Sequence, residues 1–282
     1  MPNQYQFSVY IQYIVPHHLL STFMGWLADL RLRWLKNWMI NRFIKKYHVD
    51  MSIAKIEDPV AYPTFNHFFI RQLKPSLRPV ANDQRDIASP VDGTIAQIGQ
   101  IYKSQLLQAK SHYYDLTTLL CNDAELVPLF GDGSFATLYL APHNYHRVHM
   151  PLSGTLKKTI YVPGKLFSVN SMTSALIPNL YSRNERLISI FHTDAGPMAV
   201  ILVGAMIVGS IQTVWMNNPI RSKKIQRTNH LNDIYLQKGA ELGHFRLGST
   251  VIILFGKHKI KWVPSLNTNS PVQFGQLLGN FA

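Results

Sequence analysis

From about Ser89 to the C-terminus, the chain consists of short runs of β-branched and other apolar residues, and Gly or Pro residues separate these runs. The runs are shorter than ordinary helices, and Gly and Pro boundaries are typical of strands joined by turns. The sequence therefore predicts a mainly β domain of sandwich or barrel type. Its strands are expected at residues 94–101, 135–141, 188–191, 199–203, 205–211 and 249–255.

The N-terminal region has a helical pattern instead. Residues 17–47 carry broad apolar faces that include Trp26, Trp34 and Trp38, interrupted by the basic residues Arg31, Arg33, Lys36, Arg42, Lys45 and Lys46. Indole rings beside cations are typical of helices that lie at a membrane surface. The alternative is a helical pair packed on the next domain, with its cations in solvent. We predict an α+β fold, with N-terminal membrane-surface helices in a region 1–60 and the mainly β domain at 61–282.

Two shorter features mark the junction between these regions. Prolines near residue 60 break the helical pattern, and residues 64–70 are expected to form a helical turn capped by Thr64.

The charge of the chain indicates an anionic partner. Lys and Arg number 28 against 15 Asp and Glu, which gives a net charge of +13. The single cysteine, Cys121, excludes an intramolecular disulfide and a cysteine-based zinc site. No run of apolar residues is long enough to predict a transmembrane helix, and the N-terminus has the pattern of neither a signal peptide nor a transit peptide.

The Gly248-Ser249 peptide has the composition of a bond that a fold could cleave. A serine hydroxyl can attack the preceding carbonyl, and glycine leaves that carbonyl without a shielding Cβ. A fold that aligns the two groups can raise their effective concentration to roughly 10⁵–10⁸ M. The attack needs a base, usually oriented by a carboxylate, and His149 and Asp92 are candidates for these roles. The alternative is an ordinary turn before a strand.

Three segments carry a resemblance to a known family. Residues 89–94 around Asp92, 145–151 around His146 and His149, and 238–251 around Gly248 and Ser249 resemble the hallmark segments of bacterial-type, pyruvoyl-dependent phosphatidylserine decarboxylases. The resemblance implies an Asp92–His149–Ser249 triad for self-cleavage between Gly248 and Ser249. It also implies that His146 acts as the proton donor to the substrate.

The same resemblance implies the cofactor and the reaction. Self-cleavage would give fragments 1–248 and 249–282 that stay associated, with a pyruvoyl group made from Ser249 at the new N-terminus. This group would form a Schiff base with phosphatidylserine and accept electrons as carbon dioxide leaves, giving phosphatidylethanolamine. Neither a metal ion nor pyridoxal phosphate would be needed.

The implied partners are phosphatidylserine and an anionic membrane surface. We expect no nucleic-acid partner. A homo-oligomer of the processed pair of fragments is compatible with the family. The resemblance also implies a peripheral membrane protein on the cytoplasmic face of the cell membrane.

Other interpretations remain open. His143, His146 and His149 form a His-x-x-His-x-x-His run that could suggest a metal site, although this spacing suits a strand poorly. Because His146 and His149 are three residues apart, a regular strand would point them to opposite faces, and only a bulge or bend would bring both into one pocket. The functional alternatives are a pyruvoyl-dependent decarboxylase of a soluble amino acid and a non-enzymatic basic protein that binds membranes or nucleic acid.

Overall fold

The chain begins with helices and continues as a layered, mainly antiparallel β domain. The computed structural model describes residues 9, 11–109, 112–206, 211–216, 218–220, 222–245, 249–257 and 259–281.

On the N-terminal side of the β domain, the described residues form a 3-10 helix at Pro59–Ala61 and the α-helices α1 (His17–Ala28), α2 (Arg33–Tyr47) and α3 (Phe65–Phe69). As predicted, Thr64 caps the last of these, because its hydroxyl accepts a hydrogen bond of 3.2 Å from the backbone N–H of His67. The three α-helices share one apolar cluster, whose buried members are Ala28, Ile40, Val49, Tyr62, Phe65, Phe68 and Phe69. None of the described helices is long and apolar enough to cross a membrane.

The β domain contains strands that we number in chain order. They are β1 (Asp86–Ala88), β2 (Gly93–Gln100), β3 (Gln105–Ala109), β4 (His112–Asp115), β5 (Ser134–Leu140), β6 (Arg147–His149), β7 (Gly154–Val162), β8 (Arg186–Thr193), β9 (Gly196–Val203), β10 (Ile211–Thr213), β11 (Gln226–Leu236), β12 (Glu241–Phe245), β13 (Ser249–Phe255), β14 (Ile260–Trp262), β15 (Pro271–Val272) and β16 (Leu277–Phe281). Four short helices join them: α4 (Leu116–Leu119), α5 (Val127–Phe130), α6 (Ser171–Leu176) and α7 (Leu180–Arg183).

The largest sheet has eight strands in the order β11-β7-β8-β9-β13-β5-β2-β15, and all its pairings are antiparallel. Strand β13 lies near the centre, where β5 and β9 pair with its two edges. Two three-stranded sheets, β1-β16-β14 and β10-β12-β6, and the β3-β4 hairpin complete the domain.

Both faces of the large sheet are buried. Along β13, Val251, Ile253 and Phe255 belong to one apolar cluster, and the alternating Ile252 and Leu254 belong to another. The first cluster includes residues of the two three-stranded sheets, and the second includes residues of the β3-β4 hairpin and the short helices. This arrangement confirms the predicted α+β class and explains why β13 is a continuous apolar run.

The strand predictions cover only part of the β domain, because β1, β3, β4, β7, β11, β12, β14, β15 and β16 were not predicted from the sequence. Five predicted strands overlap β2, β5, β8, β9 and β13, and β13 has the predicted bounds. In the predicted strand 205–211, residues 207–210 lie outside the described part, and β10 begins only at Ile211. The division at residue 60 stays a prediction; the apolar cluster of the helices contains residues from both sides of it.

Candidate active site

Ser249 is the first residue of β13 and is fully buried between the two neighbouring strands. Its backbone lies opposite Leu140 of β5, and the next residue lies opposite Val203 of β9. The Ser249 hydroxyl is buried and has no hydrogen-bond partner among the described residues, an arrangement that ordinarily costs about 1–3 kcal/mol. Gly248, the other half of the predicted cleavage site, lies outside the described residues.

His146 lies close to the same strand end. Its Nε2 donates to the carbonyl of Pro142 at 3.4 Å, and Pro142 is two residues beyond Leu140, the strand partner of Ser249. The imidazole stacks on Phe69 of α3, with 4.0 Å between ring centroids, and its Nδ1 is buried without a partner. The short helix α3 therefore supplies one wall of the His146 environment.

The charge state of His146 follows from this environment. Burial, and then the positive charge of Arg71, lower the pKa of His146 to about 3. Arg71 is itself buried, and its Nη2 donates to the carbonyl of His143 at 2.9 Å, while its Nε and Nη1 have no partner. His146 is thus neutral near pH 7, with its proton on Nε2 and a bare lone pair on Nδ1.

His149 lies on β6 in a different set of contacts. Its Nδ1 donates to the carbonyl of Gly239 at 2.8 Å, its Nε2 accepts from the hydroxyl of Tyr145 at 2.9 Å, and its ring stacks on Phe274 with centroids 3.7 Å apart. Burial lowers the pKa of His149, which keeps the imidazole neutral.

Asp92 shares a neighbour with His149 but does not hydrogen-bond to it. The carboxylate accepts from Arg78 Nε at 3.1 Å and Nη2 at 2.9 Å, and from the backbone N–H of Phe274 at 2.8 Å. The following residue, Gly93, lies so close to the carbonyl of Tyr139 that a Cβ there would overlap it. Glycine therefore allows the chain after Asp92 to approach β5 closely.

The four predicted site residues gather around one end of β5. Strands β2 and β13 flank β5, so Asp92, which precedes β2, and Ser249 are separated by two strand spacings, about 10 Å. The carbonyl of His146 accepts from Phe245, four residues before Ser249. None of the four side chains hydrogen-bonds to another of the four, so the predicted triad is not joined in this structure.

Two clefts approach this region from different sides. The first, the apolar cleft, has a volume of about 400 Å³ and lies between the N-terminal helices and the β domain. Its lining comprises Met24, Ala28, Trp38, Met39, Arg42, Phe43, Lys46, Tyr47, Phe65, Phe69, Pro142, Ser168 and Met206. The second, of about 310 Å³, is lined by polar residues that include Tyr145, Arg147, His149 and Glu241. Phe69 and Pro142, the neighbours of His146, line the first cleft, whereas His149 lines the second.

Several residues of this site were not predicted from the sequence. Tyr145 lies in the segment that contains His146 and His149. Its nearness in sequence to these histidines is the only feature that could have indicated it as a site residue. Phe69, Arg71, Arg78 and Phe274 come from segments that carry no catalytic pattern. The fold, rather than a local pattern, brings them to the site.

The histidine run does not form a metal site in the described part of the chain. His143 is exposed, and His146 and His149 stack on different aromatic rings. Among the described residues, no group of three or more His, Cys, Asp or Glu side chains is placed to hold a metal ion.

Comparisons with known proteins agree on one family. The family model described as phosphatidylserine decarboxylase matches residues 65–280, and a model described as PSD matches residues 7–48. The chain is 52% identical over 274 residues to the phosphatidylserine decarboxylase proenzyme of Ectopseudomonas mendocina (strain ymp), which covers 95% of this chain and 96% of that protein. It is 51% identical over 270 residues to the proenzyme of Bordetella avium (strain 197N), covering 95% and 92% of the two chains.

Proposed function

Because the chain belongs to the phosphatidylserine decarboxylase family, we propose that it cleaves itself between Gly248 and Ser249 and then converts phosphatidylserine to phosphatidylethanolamine. The observation that carries the proposal is the Ser249 hydroxyl, which is buried, unpartnered and placed at the first position of a central strand. The neighbouring strands lead directly to Pro142 and Met206 in the apolar cleft.

Self-cleavage uses the chain's own groups. The Ser249 hydroxyl attacks the carbonyl of Gly248, the amide becomes an ester, and β-elimination breaks the chain to leave a carboxylate on Gly248 and a dehydroalanine at position 249. The dehydroalanine tautomerises to an imine, which takes up water and releases ammonia to leave the pyruvoyl group. We assign proton removal from the hydroxyl to His149, oriented by Asp92. In the structure the ring nitrogens of His149 are hydrogen-bonded to Tyr145 and Gly239. The two roles therefore require Nε2 to exchange Tyr145 for Ser249, and Nδ1 to exchange Gly239 for Asp92.

The fragments are expected to remain together after cleavage. Strand β13 is paired along both edges, and all seven of its residues are buried. Release of fragment 249–282 would expose this apolar strand to water. The free-energy cost of that exposure is about 25 cal/mol for each Å² of apolar surface.

The residues around Ser249 fit a pyruvoyl group made from it. The Ser249 hydroxyl makes no hydrogen bond to a described residue, so its conversion to a carbonyl breaks no described contact, and no metal-binding group of side chains is present among the described residues. When formed, the pyruvoyl carbonyl supplies a covalent link to the substrate amine and accepts the electrons released as carbon dioxide departs.

His146 is suited to move the proton in decarboxylation. The α-carbon needs a proton after carbon dioxide leaves, and the Nδ1 of His146 has no partner among the described residues that would prevent it from carrying one. Burial and the charge of Arg71 lower the pKa of His146 to about 3, so the ring is protonated only when a negative charge beside it raises that pKa. We propose that the anionic groups of the substrate supply this charge and that the protonated His146 then donates to the α-carbon.

The apolar cleft supports a lipid substrate over a soluble amino acid. Its walls are mostly Met, Phe, Trp and Tyr side chains, and Arg42 and Lys46 supply positive charge beside them. An acyl chain suits the apolar walls, and the phosphodiester suits the two cations. Free serine would use neither feature.

We also propose that the N-terminal helices hold the protein at an anionic membrane, on the cytoplasmic face of the cell membrane. On these helices Leu19, Phe23, Trp26, Trp34 and Trp38 are between 57% and 73% exposed, which is far more than helices packed only on a core would show. The surrounding Arg and Lys residues suit an anionic surface, each worth about 1 kcal/mol near it.

Removing two of the exposed indoles tests this placement. In a Trp26→Ala and Trp34→Ala double variant, we expect affinity for vesicles of phosphatidylglycerol and phosphatidylcholine to fall by at least about tenfold, because apolar area that entered the interface is lost. Vesicle sedimentation measures it. The matched control removes two exposed aromatic rings of the β domain, Tyr102→Ala and Tyr113→Ala, and should bind like the wild type. Equal binding by all three proteins would contradict the membrane-surface proposal.

The proposed reaction is tested by offering the purified protein two substrates. Phosphatidylserine in detergent micelles should yield equal amounts of carbon dioxide and phosphatidylethanolamine, while free serine should react far more slowly. Comparable turnover of free serine would favour the soluble amino-acid alternative. Salt-dependent binding to membranes or nucleic acid without any release of carbon dioxide would favour the non-enzymatic one.

A further inference from the structure

A third cleft, which we call the basic cleft, lies where the start of α1 meets residues 165–183. Its volume is about 420 Å³, and it is lined by Gln12, Tyr13, Val15, Pro16, His17, His18, Leu19, Lys165, Phe167 and Arg183. The lining contains two fixed cations and two histidines but no Asp or Glu. The apolar cleft and the polar cleft of His149 share none of these lining residues.

The two cations of the basic cleft are not neutralised by the described residues. The guanidinium of Arg183 lies over the rings of Tyr13 and Phe167, at 5.5 Å and 5.1 Å from their centroids. Within the described ranges, the side chains of Arg183 and Lys165 form neither a hydrogen bond nor an ion pair. Stacking on two rings fixes the plane of the guanidinium and leaves its N–H groups free for an anion.

His17 adds a second, independent feature. It is the first residue of α1 and only 4% exposed, and its Nε2 is buried without a partner. The N-cap of the helix, Pro16, provides no side-chain hydrogen bond, and the first turn contains no acidic residue. Residues 16–19, at the start of the helix, all line the basic cleft, so the positive end of the helix and the His17 side chain lie at the same site.

We propose that the basic cleft binds the phosphodiester of an anionic phospholipid at a second site, separate from the site of decarboxylation. Leu19, at the cleft, is 72% exposed and Ile14 beside it is 86% exposed, so apolar side chains flank the anion site. Apolar side chains next to a phosphate site suit a lipid headgroup that remains in its membrane, rather than free phosphate.

Binding at the basic cleft is expected to take up a proton. Burial, and then the charges of Lys165 and His18, lower the pKa of His17, while a hydrogen bond to the backbone of Gln12 opposes them. The ring is therefore neutral near pH 7. We expect a bound phosphodiester to offset the charges of Lys165 and Arg183 and to accept a hydrogen bond from the protonated Nε2 of His17, and both effects raise the pKa of His17. Affinity should accordingly rise as pH falls toward 6.

The test uses the processed full chain and isothermal titration calorimetry. Soluble dihexanoyl phosphatidylglycerol and inorganic phosphate serve as separate probes. In a Lys165→Gln and Arg183→Gln double variant, affinity for the lipid probe should fall at least about tenfold. Arg183→Lys should retain more of it, and His17→Phe should abolish proton uptake, measured by comparing buffers of different ionisation enthalpy. The control with the same charge change, Lys223→Gln and Lys224→Gln, should match the wild type.

The outcomes separate this site from the catalytic proposal. Self-cleavage and turnover of short-chain phosphatidylserine should be unchanged in the Lys165→Gln and Arg183→Gln variant, so loss of turnover with unchanged lipid affinity would overturn the second-site assignment. It would also be overturned if inorganic phosphate bound more tightly than the lipid probe, or if the control pair weakened binding equally. A wild type that binds the lipid probe but releases no carbon dioxide would contradict the decarboxylase proposal alone.

Discussion

Replacing Ser249 with alanine is expected to leave one uncut chain of 282 residues and to abolish the release of carbon dioxide. The variant lacks the only atom that can attack the Gly248 carbonyl in this scheme, and it cannot form the pyruvoyl group. Decarboxylation should therefore fall by at least about 10⁶-fold, to the uncatalysed level. Denaturing electrophoresis and a carbon dioxide assay on the same preparation measure both effects.

The neighbouring residue provides a matched control. The hydroxyl of Thr250 is also buried without a partner, and Thr250→Val removes it while keeping the shape of the side chain. This variant should cleave itself and remain active. A cleaved, active Ser249→Ala protein would exclude Ser249 as the nucleophile and the cofactor precursor, whatever the behaviour of the control.

The second large effect is a contrast between the two histidines of the site. We expect His149→Gln to remain largely uncut, because no other group is assigned to remove the proton from Ser249. His146→Gln should still cleave, but its decarboxylation rate should be about 10²–10⁴-fold lower, the usual contribution of a positioned acid or base. The exposed neighbour in the same run, His143→Gln, should behave like the wild type in both assays.

Quantitative mass spectrometry of the fragments and turnover per cleaved molecule separate these two roles. The two histidines lie at different clefts, so their substitution should affect different steps. His146 contacts Phe69, which lines the apolar cleft, and His149 contacts Phe274, which lines the second, more polar cleft. If His146→Gln failed to cleave while His149→Gln cleaved normally, the assignment of the two histidines would be reversed.

The sequence was most informative where local pattern and global position agree. The apolar run at residues 249–255 correctly predicts strand β13, because a strand that is buried on both faces is apolar along its whole length. Thr64 correctly predicts a helix cap, because its hydroxyl accepts a hydrogen bond from the nearby N–H of His67. The odd spacing of His146 and His149 predicts different directions. In the structure His146 precedes β6 and His149 ends it, and each has its own neighbours.

The partners of the site residues could not be predicted in the same way. Arg78 reaches Asp92 from a loop, Phe274 reaches both Asp92 and His149 from near the C-terminus, and Arg71 follows a short helix. These contacts join segments that are distant along the chain, so no periodicity or spacing reports them. They depend on the packing of the helices and the smaller sheets around the end of β5.

Intact mass measurement of the purified wild-type protein tests the central claim most directly. We expect two chains, one ending at Gly248 and a smaller one covering residues 249–282. The smaller chain should resist Edman degradation, and its mass should be lower than that of the serine-initiated fragment by one ammonia. A single uncut chain in a preparation that decarboxylates phosphatidylserine, or an unmodified serine at the start of the smaller fragment, would contradict formation of the pyruvoyl group from Ser249.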